Sequence, residues 1–456
     1  MEKYDLLIRD GYIVTPNDCQ KGSIAISSGK IAAILPECTA IEAKHEIDAT
    51  ERYVMPGAID THSHFFEPGA EYREGFFHGT QAAASGGYTT VMDMPNTEPP
   101  VSDIESFNLK YQRACKSWFI DFVIWGASLP NNIKNINELY KLGCPAFKAF
   151  TLDAGPTFQY SDSMNLYLGM KEVREVGGVF AVHAEDDSIV SYFREENGDF
   201  PWSPILHDQS RPYYAELTAI NTALILAKVT GCPLHICHMS IPEGAELIKL
   251  ARMAGGVDVT VETCPHYLVL NTENIINKGT YGMICPPIRN KERMEQLWNY
   301  IEDGTIDYIG TDHAPYTIED KNPADGNLWN AAAGAPSIDI AVPLILTHAV
   351  KKRGISISRV AKLLSTNAAK RFGLYPRKGA ISIGADADIM IVDMDKNWIY
   401  SRANSLSKTK ATDFAYEGTE LNCYVETTIV RGEIVYSEGK IIGAPGYGKL
   451  IKKCER

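Results

Sequence analysis

Apolar and polar positions alternate in two different ways along this chain. Over the first fifty-odd residues the apolar runs are short and interrupted by glycine. Asp5–Ile8, Ile13–Thr15, Ser23–Ser27 and Lys30–Leu35 have strand length, and Gly11, Gly22 and Gly29 fall between them. The far C-terminal stretch repeats that pattern, since Asp388–Asp393, Val425–Arg431 and Glu433–Tyr436 are strand-like, with a tight turn at Gly432. Between the two, short apolar runs alternate with longer helix-like stretches, the pattern of βα units. The runs are Met55–Thr61, Tyr88–Asp93, Ile120–Gly126, Ala146–Phe150, Gly178–His183, Pro233–Cys237, Val257–Glu262 and Asp307–Thr311. Gly79–Ser85, Leu166–Glu175, Tyr214–Lys228 and Glu243–Arg252 are among the helices that follow them.

Eight parallel strands with intervening helices predict an α/β chain built on a (β/α)₈ TIM barrel over residues 55–372. Residues 1–54 and 373–456 then pair as one small β-sandwich domain, which brings the chain ends together. The competing architecture is an open doubly wound sheet, but the chain has neither a GxGxxG fingerprint nor a P-loop to support it.

Composition narrows the function. A length of 456 residues with 45% hydrophobic content provides a large core. The net charge of −13 argues against nucleic acid or an anionic membrane as partner. Ten cysteines are scattered with no CxxC pair, which predicts reduced thiols in a cytoplasmic protein. Met1–Asp10 lacks the apolar core of a secretory signal. The apolar stretch Ile340–Val350 is too short for a membrane span and is interrupted by Pro343 and His348.

The candidate chemistry sits at strand ends. Asp60-Thr61-His62-Ser63-His64 follows an apolar strand directly, and residues two apart on a strand point to one side, so His62 and His64 can reach one metal. His183 ends the fifth predicted strand, His238 the sixth and Asp312 the eighth; in a barrel these ends converge on one face. Lys148 lies inside Ala146-Phe147-Lys148-Ala149-Phe150, where a charged amine is costly unless neutralised or paired. Reaction with carbon dioxide would turn it into an anionic carbamate ligand able to bridge two metals. Snorkelling to solvent, or pairing with an acid such as Asp153, would also satisfy it.

These segments resemble the cyclic amidohydrolases: allantoinase, dihydropyrimidinase (hydantoinase) and dihydroorotase. The resemblance runs through Pro56-Gly57-Ala58-Ile59-Asp60-Thr61-His62-Ser63-His64, Glu67-Pro68-Gly69, Met94-Pro95-Asn96-Thr97, Glu262-Thr263-Cys264-Pro265-His266-Tyr267, Pro286-Pro287-Ile288-Arg289, Thr311-Asp312-His313 and Lys378-Gly379-Ala380-Ile381 to Asp388. It implies that His62, His64, Lys148 as N6-carbamate, His183, His238 and Asp312 hold two divalent metals. Zinc fits that ligand set, as do manganese, cobalt, nickel and iron. The resemblance also implies that Asp312 takes a proton from the attacking water and returns it to the leaving nitrogen, and that the chain forms a homotetramer or a homodimer.

Within that family the substrate is narrowed by departures. Dihydroorotases carry an arginine where this chain has Phe66, and a ring cannot replace a bidentate carboxylate clamp. Hydantoinases place a tyrosine five residues after the modified lysine; here that residue is Asp153, leaving Tyr160 or Tyr167 as the alternative hydroxyls. The runs Arg211-Pro212 to Cys232 and Leu234-His235-Ile236-Cys237-His238 are similar to allantoinases, so ring opening of allantoin to allantoate is the expected activity. Dihydroorotase and hydantoinase activities are the alternatives, and a non-catalytic scaffold is disfavoured because all six ligand positions are filled. Phe66, Asn96 and Cys285 are the expected substrate contacts. His207, His235, His266, His313 and His348 are expected to be structural, His235 because odd spacing turns it away from His238.

Overall fold

The computed structural model describes residues 4–155 and 157–454. Met1–Lys3, the start of the segment that lacks a secretory signal's apolar core, therefore lie outside the described residues. The barrel forms from eight parallel strands: Ala58–Ser63, Tyr88–Asp93, Asp121–Ile124 continued by Gly126–Ala127, Ala146–Phe150, Val179–His183, Leu234–Ile236, Val259–Thr263 and Tyr308–Ile309. Each pairs in parallel with the next along the chain. A parallel bridge between Ser63 and His313 joins the last strand to the first, and the His64 N–H donates to His313 O at 2.8 Å.

Strand alternation divides the buried residues into two sets. On the fourth strand Phe147 and Ala149 pack outward against the helices, whereas Ala146 joins Val179, Ala181 and Tyr308 inside the barrel. Phe372, Leu374 and Ile451 close the floor of that interior. The helices cover the outside. Ser163–Val176 shows how local sequence sets their limits: Asp162 accepts from the Asn165 N–H at the start, and Gly177, left-handed at φ 72°, ends it. No helix among the described residues is long and apolar enough to cross a membrane.

The first predicted barrel strand, Met55–Thr61, is two strands. Tyr53–Pro56 pairs antiparallel with Ile389–Asp393 in the small sheet, and Ala58–Ser63 begins the barrel. The chain passes between them at Gly57, where any side chain would collide with Thr89. Gly11 and Gly22 likewise do not separate strands. Tyr4–Val14 and Cys19–Ser27 run through them as partners, with a bulge between Ile8 and Gly11. Gly29 and Gly432 do turn the chain, each following a residue that is also left-handed, Ser28 (φ 51°) and Arg431 (φ 46°). Nine strands from both ends of the chain form one hydrogen-bonded sheet around an isoleucine-rich core.

A buried ionic knot ties this sheet to the barrel. The Lys378 ammonium lies 2.5 Å from Asp121, 2.5 Å from Asp388 and 3.1 Å from Asp386. Asp121 opens the third barrel strand, and Arg431 of the small sheet's hairpin also pairs with it at 3.1 Å.

Candidate metal centre

The ends of strands one, four, five, six and eight bring the predicted ligands together. His62 and His64 rings lie 5.3 Å apart, His62 and His238 5.2 Å, and His183 and His238 4.5 Å. Asp312 Oδ1 is 3.3 Å from His62 Nε2 and 3.2 Å from His64 Nε2, so these three residues offer atoms close enough to share one ion. His238 and Asp312 lie just beyond the ordered strands, in left-handed backbone at φ 37° and 47°. Cys237 faces the barrel interior, so a continued strand would turn His238 outward; the left-handed residue turns it back. His235 also packs inside the barrel, stacked on Tyr308 at 5.1 Å. The odd spacing from His238 therefore does not turn it away from the barrel interior.

Lys148 occupies the floor of this cluster. It is 0% exposed and its Nζ has no hydrogen-bond partner. Asp153, the acid that could have paired with it, is exposed and accepts from the Gly155 N–H. Neither snorkelling nor that ion pair accounts for the amine. His238 Nδ1 is also buried without a partner. Burial, with Lys148 nearby, brings His62 down to about 4; burial and then His183 bring His238 well below its usual value. The His62 and His238 imidazoles are therefore neutral, with a lone pair available to a cation. Burial raises Asp312, but His62 and a hydrogen bond from His64 outweigh it and leave the carboxyl at about 2. Neutral nitrogens, an ionised carboxylate and an unsatisfied amine form a donor set that fits divalent metals.

A second layer of carboxylates orients these ligands. His62 Nδ1 donates to Glu262 Oε1 at 2.6 Å, and His183 Nε2 donates to Glu185 Oε2 at 2.7 Å. Each bond fixes a tautomer and leaves the other ring nitrogen facing the centre. Arg211 grips Glu185 at 3.0 and 2.7 Å, and Thr61 donates to Glu262 at 2.5 Å. His313 Nδ1 accepts from the Ser337 and Ile338 N–H groups, so it supports the loop behind Asp312.

A cavity of about 280 Å³ opens over the centre. The four histidines and Asp312 line it, as do Asn96 and Cys285. Phe66 does not. It is left-handed at φ 56° and packs behind the wall, with Tyr316 at 5.0 Å and His64 at 6.0 Å. Tyr316 takes the wall position instead. It is the only tyrosine among the described lining residues, and Tyr160 and Tyr167 do not reach the cavity. No periodicity singles Tyr316 out; it follows Asp312 by four residues. Glu185, just past its strand, carries no signal of its own in the sequence, and the motif that contains Glu262 does not give its role, because a lone carboxylate acquires one only once its partner is known.

The amidohydrolase family model matches residues 53–435. The chain belongs to the amidohydrolase family. Among its amidohydrolase relatives, an allantoinase from Rubrobacter xylanophilus is 36% identical, covering 99% of this chain and 98% of the relative. An L-hydantoinase from Paenarthrobacter aurescens is 31% identical, with 99% and 98% covered. Among solved structures, an L-hydantoinase (dihydropyrimidinase) from Arthrobacter aurescens superposes with a TM-score of 0.95 at 31% identity, covering 98% of this chain and all of that one.

Proposed function

We propose that this amidohydrolase opens the ring of a cyclic amide, and that the ring is allantoin, yielding allantoate. Two divalent metals, zinc as the first choice, would be held by His62, His64, Lys148 as its N6-carbamate, His183, His238 and Asp312. The observation that carries the reading is the buried Lys148 amine, without a hydrogen-bond partner, beside the neutral His62 and His238 imidazoles. Carbamylation removes its charge and supplies two oxygens.

The bound metals would polarise the ring carbonyl and lower the pKa of water. Asp312, ionised at neutral pH, accepts the proton of the attacking water and passes it to the departing ring nitrogen. The carbonyl carbon gains the water oxygen, the C–N bond breaks, and a carboxylate and a ureide result. Asn96 lines the cavity wall, and its Oδ1 is buried without a hydrogen-bond partner. Cys285 lines another part of the same cavity. Arg211 faces the cavity but is already committed to Glu185, so no free guanidinium among the described lining residues awaits a carboxylate such as that of dihydroorotate. The allantoinase relatives support allantoin, and the L-hydantoinase keeps a 5-substituted hydantoin as the second reading. A cytoplasmic location is part of this proposal, and the ten free cysteines accord with it. A homotetramer, with a homodimer as the alternative, completes it, and light scattering decides between them.

Asp312→Asn in metal-loaded protein tests the mechanism. Compared at equal metal content, turnover should fall by at least about a hundredfold; near-normal turnover would remove Asp312 from the proton transfer.

A further inference from the structure

A second cavity, of about 340 Å³, lies between the barrel and the small sheet and shares no residue with the metal centre. Four aromatic side chains line it: Trp398, Tyr400, Tyr424 and Tyr436. Their rings stand as walls at steep angles. Trp398 meets Tyr424 at 86° with centroids 5.5 Å apart, and Tyr400 at 65° and 6.2 Å. Their polar edges are already used. Tyr400 donates to Asp413 at 2.5 Å, the Tyr424 and Tyr436 hydroxyls bond each other at 3.0 Å, and Trp398 Nε1 donates to Cys423 O at 2.8 Å. What remains for a ligand is π surface.

Asp339 is the only charged residue among the described residues of the wall. Its Oδ1 is buried and has no hydrogen-bond partner, and neither does Oδ1 of the fully buried Asp413 behind it. No ion pair among the described residues reaches either carboxylate. Arg402, which acts on Asp413 from a distance, stacks on Phe414 at 3.5 Å and donates to Ala411 O instead. Burial raises both carboxyls above the usual range, Asp413 the more strongly. No cation among the described residues lining the cavity faces the Asp339 carboxylate.

We propose that this cavity binds a small organic ammonium ion, held by the aromatic walls and the Asp339 carboxylate, which Tyr400 reaches at 3.4 Å and no cation among the described residues pairs with. Rings attract a cation through their negative faces, most strongly where water is excluded. The chain shows the same preference just outside the cavity, where Lys396 Nζ lies 3.8 Å from the Tyr424 centroid. A strongly hydrated inorganic ion would require several oxygens, and rings supply none.

Calorimetric titration of the metal-loaded full chain with choline chloride tests this, with its uncharged isostere 3,3-dimethyl-1-butanol as control and ionic strength held constant. Saturable choline binding is expected, with the isostere at least about tenfold weaker. Asp339→Asn and Trp398→Leu should each weaken choline by about tenfold or more. Should Asp339→Asn fail to fold, Trp398→Leu carries the test alone. No saturable binding, equal binding of choline and the isostere, or full affinity in Trp398→Leu would overturn the proposal. Sedimentation with saturating choline identifies the source of the cation. An unchanged assembly points to a free ammonium compound, and dissociation points to a lysine side chain from a second copy.

Discussion

Replacing Glu185 by glutamine keeps its shape and removes its charge, and two consequences separate cleanly. Glu185 is wholly buried and holds Arg211 through two bonds and His183 through one. Without the carboxylate, Arg211, only 7% exposed, keeps a charge with no counter-ion. Breaking a buried pair in this way costs about 3–5 kcal/mol. His183 also loses the partner that orients it, which lowers metal affinity by about 10–100-fold, or about 1.4–2.8 kcal/mol. Adding Arg211→Met removes the stranded charge and should recover most of the stability without the metal affinity. Urea unfolding of metal-stripped proteins reads the first effect, and competition with a chelator followed by metal analysis reads the second. Burial raises the Glu185 carboxyl, but Arg211 and His183 outweigh it and hold the group well below 4.5. Its contribution is therefore fully present above the unfolded-state pKa and is lost as pH falls below it, so Glu185→Gln should flatten the acid limb. Wild-type stability in Glu185→Gln, or a double variant that regains metal affinity along with stability, would refute this reasoning.

Other perturbations probe separate parts of the molecule. Lys148→Ala should lose bound metal and turnover, and a short carboxylate such as propionate should restore part of both; full metal content without any added acid would contradict a bridging role. Glu74 is buried and pushed up to about 8, against hydrogen bonds from Ser407 and the Thr409 and Lys408 backbone. The folded state keeps the proton that the unfolded chain releases near 4.5, so wild-type stability should fall as pH rises through that window, and Glu74→Gln should remove the slope. Equal slopes in the two urea series would count against it. Lys378→Met leaves Asp388 without its ion partner, while Asp121 keeps Arg431 and Asp386 keeps Lys30 and Arg377; it should cost about 3–5 kcal/mol, measured by the unfolding midpoint.

The barrel is legible in the sequence because its strands are short apolar runs separated by long amphipathic ones. Five of the six proposed ligands are legible because they cluster where those runs end, and Lys148 because it is a charged residue inside one of them. Less can be inferred where the signal is not periodic. Ala43–Asp48 escapes notice because this strand is mostly exposed and polar. The split at Gly57 is hidden because both halves are apolar, and only the collision with Thr89 reveals the turn. His238 and Asp312 stand where the strand ends place them, yet strand alternation does not explain their aim; left-handed backbone does. Phe66 stands where the resemblance to dihydroorotases would place an arginine, but the same backbone conformation turns the ring behind the cavity wall, and Tyr316 meets the cavity in its place.

The most direct test is the rate at which the metal-loaded protein opens allantoin, compared with 5-substituted hydantoins, dihydrouracil and dihydroorotate under the same conditions. The highest kcat/KM is expected on allantoin, with allantoate as product and activity lost on chelation. Turnover of another ring with none on allantoin would contradict the proposed function.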